Sequence, residues 1–287
     1  MSKVTDDFVA FILTHGRADR QYTYNALRLQ GYTGPVVLVL DNEDAQVEQY
    51  KEMYGEDNCY VFDKLAESKK IDEVFHGDRR VIVYARNVCF DIARELGYKY
   101  FIELDDDYSA FYWRFDNHGK YLPGTPKIKN LDEVFGAMLE YYKHTPITSL
   151  AMAQGGDFIG GSKNQMLRTI GTKRKAMNSF ICSTDREFQF IGRINEDVNA
   201  YTHLTSIGKI FLSIVQCNLQ QKETQSNAGG MTDVYNDSGT YLKSFSTVIV
   251  HPSGTVVTLL NSHHKRLHHN IDWERTAPKI LSEKWRK

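Results

Sequence analysis

Residues 98–113, YKYFIELDDDYSAFYW, set Asp105, Asp106 and Asp107 directly behind an apolar run. Adjacent carboxylates repel one another, so they either face water or gather around something positive. In extended backbone, side chains two apart share a face, which lets Asp105 and Asp107 grip one cation while Asp106 points elsewhere. Hard divalent ions such as Mg²⁺ or Mn²⁺ take one or two carboxylates and fill their remaining positions with water and substrate phosphates. The competing reading of a bare DDD is a solvated acidic turn. What favours a metal is its position at the end of a buried strand that closes a series of strands and helices.

A phosphate held by such a metal calls for cations nearby. Arg17 in THGR and Arg86 in YARN carry the forked guanidinium that matches diphosphate oxygens. The alternative for Arg86 is an ordinary ion pair on a surface helix. In GRINEDVNAY (192–201), Asn195 is a good N-cap and the helix dipole favours Glu196 and Asp197 in the first turn. The functional alternative makes one of the two acids a general base toward an acceptor hydroxyl, although a helix N-terminus lowers a carboxylate's pKa and weakens it in that role. SHHKRLHH (262–269) places His264 and His268 four apart, on one face if helical, able to give an imidazole to a metal or a phosphate. The same stretch also reads as a basic surface turn.

The elements that must position these groups follow from hydropathy. The near-continuous apolar runs FVAFIL (8–13), VVLVL (36–40), CYVF (59–62) and YFIEL (100–104) suit strands buried on both faces of a parallel sheet. Ile82, Ala85, Cys89, Ile92, Ala93 and Leu96 recur at helical spacing, and Gly97 stands where a helix stops. Asn130 followed by Glu133 predicts a capping box opening a helix through Tyr142, and ITSLAMA (147–153) is a further strand. Residues 154–175 hold five glycines and five Lys/Arg and read as a long functional loop. Beyond them the pattern gives a strand at 178–183, a helix at 195–206, and short strands near 209–214 and 246–260. The result is an α/β chain with a mostly parallel central sheet flanked by helices and a mixed C-terminal region. In such sheets ligands bind beyond the carboxyl ends of the strands, where THGR (Thr14 to Arg17), DNED (Asp41 to Asp44) and the aspartates all fall.

Composition narrows the classes. With 287 residues, 41% hydrophobic and 25% charged, the chain is globular rather than disordered. Cys59, Cys89, Cys182 and Cys217 form no CxxC pair, so neither a zinc cluster nor a disulfide framework is signalled. No apolar run is long enough for a membrane span and the first residues lack a signal-peptide pattern, which points to the cytoplasm. A net charge of -1 offers no global attraction to nucleic acid, yet residues 262–287 carry seven Lys/Arg against three acids. A polyanion would be met locally.

Together, FILTHGR, YARN, LDDD, GRINEDVN, GGMTD and HKRLHH resemble the phage TET-associated glycosyltransferases, within the nucleotide-sugar glycosyltransferases of GT-A fold. The resemblance runs from Phe8 to about Ile280. It implies one GT-A-like, Rossmann-like domain over residues 1–287, with a nucleotide-sugar-binding half (1–110) and an acceptor-side half (111–287). The implied reaction is transfer of a sugar from a nucleotide-diphosphate donor, such as a UDP-sugar, with Mn²⁺ or Mg²⁺, to a hydroxyl of a hydroxymethylated pyrimidine in DNA. In a phage-encoded protein this takes place in the host cytoplasm.

The implied donor site comprises Thr14, His15, Arg17, Asp41, Arg86, Asp105 and Asp106. Asp105 and Asp107, with His264 or His268, are the metal candidates, and which two aspartates serve stays open. Glu196, Asp197 and the NAGGMTD segment (227–233) fall on the acceptor side. Since a base in duplex DNA must be flipped out or presented single-stranded, Arg168, Lys173, Arg174, Lys175, Lys265 and Arg266 are expected to contact phosphates. Tyr108, Tyr112 and Trp113 either stack on a base or pack in the core. The rival functions are transfer to a glycan, lipid or protein, synthesis of the activated sugar by a nucleotidyltransferase, and binding without turnover. THGRADR, with one glycine and no lysine, lacks the glycine-rich, lysine-containing loop of nucleotidyltransferases. A haloacid-dehalogenase-type phosphatase would carry its aspartates after the first strand instead.

Overall fold

In this computed structural model the described residues are 6–71, 79–163, 176, 179–222, 231–261 and 265–276. The first strand, β1 (Phe8–Leu13), is buried along its whole length. Its alternate side chains enter two different layers. Phe8, Ala10 and Ile12 join a core with Phe135, Met138 and Tyr142, whereas Val9, Phe11 and Leu13 join one with Phe90, Phe101 and Tyr201. Each fully buried side chain of this size stabilises the fold by about 1.5–3 kcal/mol, so the register of β1 is fixed from both sides.

Around it, α1 (Tyr22–Leu29) leads to β2 (Val36–Asp41), α2 (Val47–Tyr54), β3 (Cys59–Phe62), α3 (Lys64–Ile71), α4 (Val83–Glu95), β4 (Tyr100–Asp105) and β5 (Tyr108–Trp113). The chain continues through α5 (Leu131–Lys143), β6 (Ser149–Gln154), β7 (Ser179–Ser183), α6 (Glu196–Ser206), β8 (Phe211–Gln221) and α7 (Met231–Val250). A hairpin of β9 (Thr255–Asn261) and β10 (Lys265–Ile271), then a last turn, α8 (Trp273–Thr276), follow. The eight-stranded sheet has the order β3-β2-β1-β4-β7-β6-β8-β5. Strands β3, β2, β1 and β4 run parallel; β7 is antiparallel to both β4 and β6, and β5 is antiparallel to β8. The fold is thus α/β with a mostly parallel central sheet. Among the described residues no helix is long and apolar enough to cross a membrane.

Local sequence accounts for most boundaries. Helix α4 stops because Gly97 takes φ +80, while Gly97 N donates to the Arg94 carbonyl at 3.2 Å and Tyr98 N to that of Ala93 at 2.8 Å. Asn130 caps α5 by accepting from Glu133 N at 3.4 Å. Three expectations about the elements are corrected. CYVF is an edge strand, exposed in part, not one buried on both faces. Residues 246–250, read as strand from their β-branched run, form the last turns of α7, because burial of Ser244 and Thr247 against the fold outweighs a weak β-propensity. Strand β8 is also longer than the 209–214 segment expected.

Candidate functional site

The pairing of β1 with β4 sets Leu13 beside Asp105, so the loop after β1 starts next to the acidic turn. Thr23, in the first turn of α1, clasps that turn by donating its hydroxyl to the Asp105 carbonyl and accepting from Tyr108 N at 2.9 Å. Where β8 ends beside the start of β5, Lys222 N donates to the Asp107 carbonyl at 3.1 Å. With the backbone held in this way, the three carboxylates fan out to different partners.

Asp106 is buried and accepts from Thr14 Oγ1 at 2.7 Å and Arg17 Nη1 at 2.7 Å. Thr14 in turn accepts from Gln21 Nε2 at 2.8 Å and lies 3.0 Å from the Tyr50 hydroxyl. Asp105 takes Arg86 Nη2 at 2.9 Å. Asp107 accepts from Gln221 Nε2 at 3.2 Å through Oδ2, while its Oδ1 is buried with no hydrogen-bond partner among the described residues.

Arg86 is only 1% exposed and is held by three acids. Its Nη2 meets Asp105, its Nε meets Glu196 Oε1 at 3.0 Å, and its Nη1 lies 3.6 Å from Glu103 Oε2. Arg86 is therefore not on the surface, but joins the end of β4 to the start of α6. Arg17 keeps 22% of its side chain exposed and has nitrogens beyond the one given to Asp106.

The acids Glu103, Asp105, Asp106, Asp107, Glu196 and Asp197 outnumber Arg17 and Arg86, and burial together with this crowding raises the proton affinities of Glu103, Asp105, Asp106, Asp107 and Glu196. Burial, then the Asp105 charge, pushes Asp107 up to about 7. Burial raises Glu103 to about 8 against the pull of Arg86. Burial and the neighbouring Asp197 bring Glu196 to about 7 although Arg86 opposes them. The dipole of α6 was expected to lower Glu196, but desolvation at this buried helix start dominates.

Asn195 differs from expectation as well. Its side chain makes no capping bond and its backbone is left-handed, at φ 55 and ψ 38. The amide nitrogen donates instead to the Lys243 carbonyl on α7 and lies 3.2 Å from Ser246 Oγ and 3.3 Å from Thr247 Oγ1. This ties the acidic start of α6 to α7. Asn195→Ala should cost about 1–2 kcal/mol, from the left-handed backbone and the lost hydrogen bonds, and Asn195→Gly should recover part of it. A urea melt reads both; equal stability of Ala and wild type would contradict the tie.

At the end of β2, Asp41 is 5% exposed; it lies 2.7 Å from His15 Nδ1 and accepts from Lys64 Nζ at 3.2 Å. The hydrogen bond to Asp41 raises the His15 pKa. Burial works to raise Asp41, but His15 and Lys64 outweigh it and leave its pKa lowered. Asp44 Oδ2 accepts from Gly16 N at 2.7 Å, which fixes the turn where Gly16 takes φ +66.

Several participants were not singled out from the sequence: Thr23, Gln21, Tyr50, Lys64, Gln221 and Glu103. Only Glu103 left a signal, as an acid inside the otherwise apolar run YFIEL.

The remaining expectations divide. Tyr108 is fully buried and belongs to the core, whereas Trp113 is 37% exposed. His268 sits on strand β10, not on a helix, with its ring stacked on His269 at 4.7 Å. Lys265 and Arg266 also lie on β10. His264, Arg168, Lys173, Arg174, Lys175 and residues 227–230 lie outside the described residues. Among the described residues no group of three or more His, Cys, Asp or Glu side chains gathers as a metal site. Asp105 and Asp107 nevertheless fit a hard divalent cation that draws its other ligands from water and phosphate. They offer only oxygen, Asp107 Oδ1 is buried and unpartnered among the described residues, and the local charge is short of cations.

A family model described as TET-associated glycosyltransferase matches residues 8–230 of the chain. No curated protein matches it. Among solved structures, a mannosyltransferase from Pyrobaculum calidifontis in complex with GDP-Man and Mn²⁺ is similar at a TM-score of 0.49 and 10% identity, over 85% of this chain and 64% of that one. TarS from S. aureus in complex with UDP-GlcNAc is similar at 0.43 and 14%, over 85% and 66%. A mycobacterial protein gives 0.45 and 9%, over 94% and 85%. The chain spans just under two thirds of the length of the first two, at 64% and 66%.

Proposed function

From the premise that the chain belongs to the TET-associated glycosyltransferase family, we propose that it moves a sugar from a nucleotide-diphosphate donor to the hydroxyl of a hydroxymethylated pyrimidine in DNA. Asp105 and Asp107 would hold a divalent cation, Mn²⁺ or Mg²⁺. The observation that carries this reading is the buried, half-unpartnered Asp107 carboxylate beside Asp105 at the carboxyl end of β4. When bound there, such an ion neutralises the charge of a departing diphosphate.

The chain's own residues supply the rest. Asp106 and Thr14 fix the loop that carries Arg17, whose unused nitrogens suit a phosphate oxygen. Arg86 aligns Asp105 with Glu196 and keeps both carboxylates compensated. Glu196, with a proton affinity near neutrality, matches the requirement for a general base. It takes the proton of the acceptor hydroxyl as that oxygen bonds to the anomeric carbon and the nucleoside diphosphate leaves.

Two measurements test this. DNA containing hydroxymethylcytosine, incubated with a panel of nucleotide sugars and digested to nucleosides, should show the modified nucleoside heavier by one sugar residue. Label found only on glycans would replace the DNA acceptor with a carbohydrate one. A carboxyl whose pKa is raised to about 7 is protonated, and useless as a base, below that value. The transfer rate should therefore climb with pH through about 7 and level off above it. Glu196→Gln should lower it by roughly 10²–10⁴-fold. A rate flat through that window, with Glu196→Gln active, removes Glu196 from the chemistry.

A further inference from the structure

An open pocket of about 370 Å³ lies away from the acidic turn, between the end of β5 and the first turns of α5. Trp113, Lys127, Lys129, Asn130, Glu133 and Val134 line it. That is the size of a small-ligand site. Its making is local. Trp113 N donates to the Pro126 carbonyl at 2.9 Å and Tyr112 bridges to Lys127, so the strap before α5 runs alongside the tryptophan. Buried Gln30 pins both sides, donating to the carbonyls of Phe111 and Ile128 at 2.7 Å each. The floor is therefore rigid while Trp113 stays 37% exposed. Among the described residues neither Lys127 nor Lys129 has an ion-pair partner. Glu133 is the one acid among the described residues of the lining, and residues 114–130 carry four Lys/Arg against one acid.

A large aromatic face flanked by two uncommitted ammonium groups is the chemistry that holds a nucleotide, with the base stacked on the ring and the phosphate on the lysines. A neutral glycan would use the ring but leave both cations idle. Strand β5 also links the two places, since Tyr108 follows the acidic turn and Trp113 ends the strand. At roughly 3.3 Å per residue its ends are about 17 Å apart. With a rise of roughly 3.4 Å per stacked nucleotide, that span covers about five nucleotides.

We propose that this pocket is a second nucleic-acid subsite, in which Trp113 stacks on a base of the acceptor strand about five nucleotides from the reacting one and Lys127 and Lys129 hold its phosphates. The proposal rests on the DNA-acceptor reading above, and its test is independent of turnover.

Fluorescein-labelled single-stranded oligonucleotides of three and ten nucleotides would be titrated against wild type, Trp113→Ala, Trp113→Phe and the Lys127→Ala, Lys129→Ala double variant. Fluorescence anisotropy supplies the affinities and circular dichroism confirms folding. Wild type should bind the longer strand more tightly. Trp113→Ala should lose roughly 5- to 150-fold on that strand only, Trp113→Phe should keep most of the affinity, and the lysine pair should lower the salt slope by about 1–2. Equal binding of the longer strand by wild type and Trp113→Ala would overturn the subsite. So would quenching of Trp113 by neutral oligosaccharides and not by oligonucleotides. Failure of the function reads differently: a protein that binds the longer strand through Trp113 yet glycosylates no pyrimidine refutes only the acceptor assignment. One that modifies a hydroxymethylcytosine trinucleotide without any gain from length refutes only the subsite.

Discussion

Arg86→Met should lower the stability of the protein by about 3–5 kcal/mol and abolish sugar transfer. The guanidinium is buried at 1% exposure among Glu103, Asp105 and Glu196, and removal of one partner from a buried ion cluster leaves uncompensated charge in a poor solvent. The loss has a definite pH dependence. With Arg86 present, burial already raises Glu103 to about 8 from 4.5. A carboxyl with a raised folded-state pKa contributes stability at low pH that is lost as pH rises through that value. Without the arginine this penalty deepens, so the variant should be closest to wild type in acid and fall furthest behind above neutrality. Urea unfolding at several pH values gives the result. A cost below about 1 kcal/mol at every pH would mean that the cluster is solvated, not buried. Arg86→Lys keeps a charge but not the fork that spans Asp105 and Glu196. It should fold and still transfer poorly.

Asp107→Asn is expected to act in the opposite way on stability. Burial and the Asp105 charge oppose ionisation of Asp107, so a neutral amide of the same shape relieves repulsion. Its oxygen can still accept from Gln221 Nε2, which now bonds the carboxylate at 3.2 Å. Stability should stay within about 1 kcal/mol of wild type or rise, while transfer falls by roughly 10²–10³-fold, the range seen when one stabilising group is removed from a developing anion. A variant more stable and inactive is the signature of a group kept for function against the preference of the fold. Loss of stability together with activity would instead make Asp107 a structural residue.

These two residues also show what the sequence discloses and what it hides. The triplet, YARN and the Glu196–Asp197 pair each attracted notice as chemistry-bearing side chains at element ends, because charge at a strand terminus or helix start is a local pattern. Their meeting at Arg86 is not local. It joins residues 19 and 110 positions apart, and only the order of the strands, with β4 beside β1 and β7, brings them together. Gln221 reaches Asp107 across 114 positions from a strand whose far half the hydropathy pattern did not mark. Thr23 is a common residue in an ordinary first turn, and nothing nearby reports that it clasps the acidic turn.

The parallel half of the sheet was readable because buried strands are continuous apolar runs. The end of α7 reads as a strand because its β-branched residues lie next to Pro252, and only packing makes them helical. Asn195 departs from its residue type for a related reason. Residue type suggested a cap, but its amide is used by α7, and that choice depends on a helix that lies 36 positions further on.

The central claim is that Asp105 and Asp107 seat a divalent cation against the donor diphosphate. The direct test is titration of Mn²⁺ into wild type and Asp107→Asn, each with a non-transferring nucleotide-diphosphate sugar, while electron paramagnetic resonance follows the free ion. The account predicts that wild type removes one equivalent of Mn²⁺ from solution when the donor is present and that the folded variant leaves the signal at the level of donor alone. Equal uptake by the two proteins, or no uptake by wild type, would contradict it.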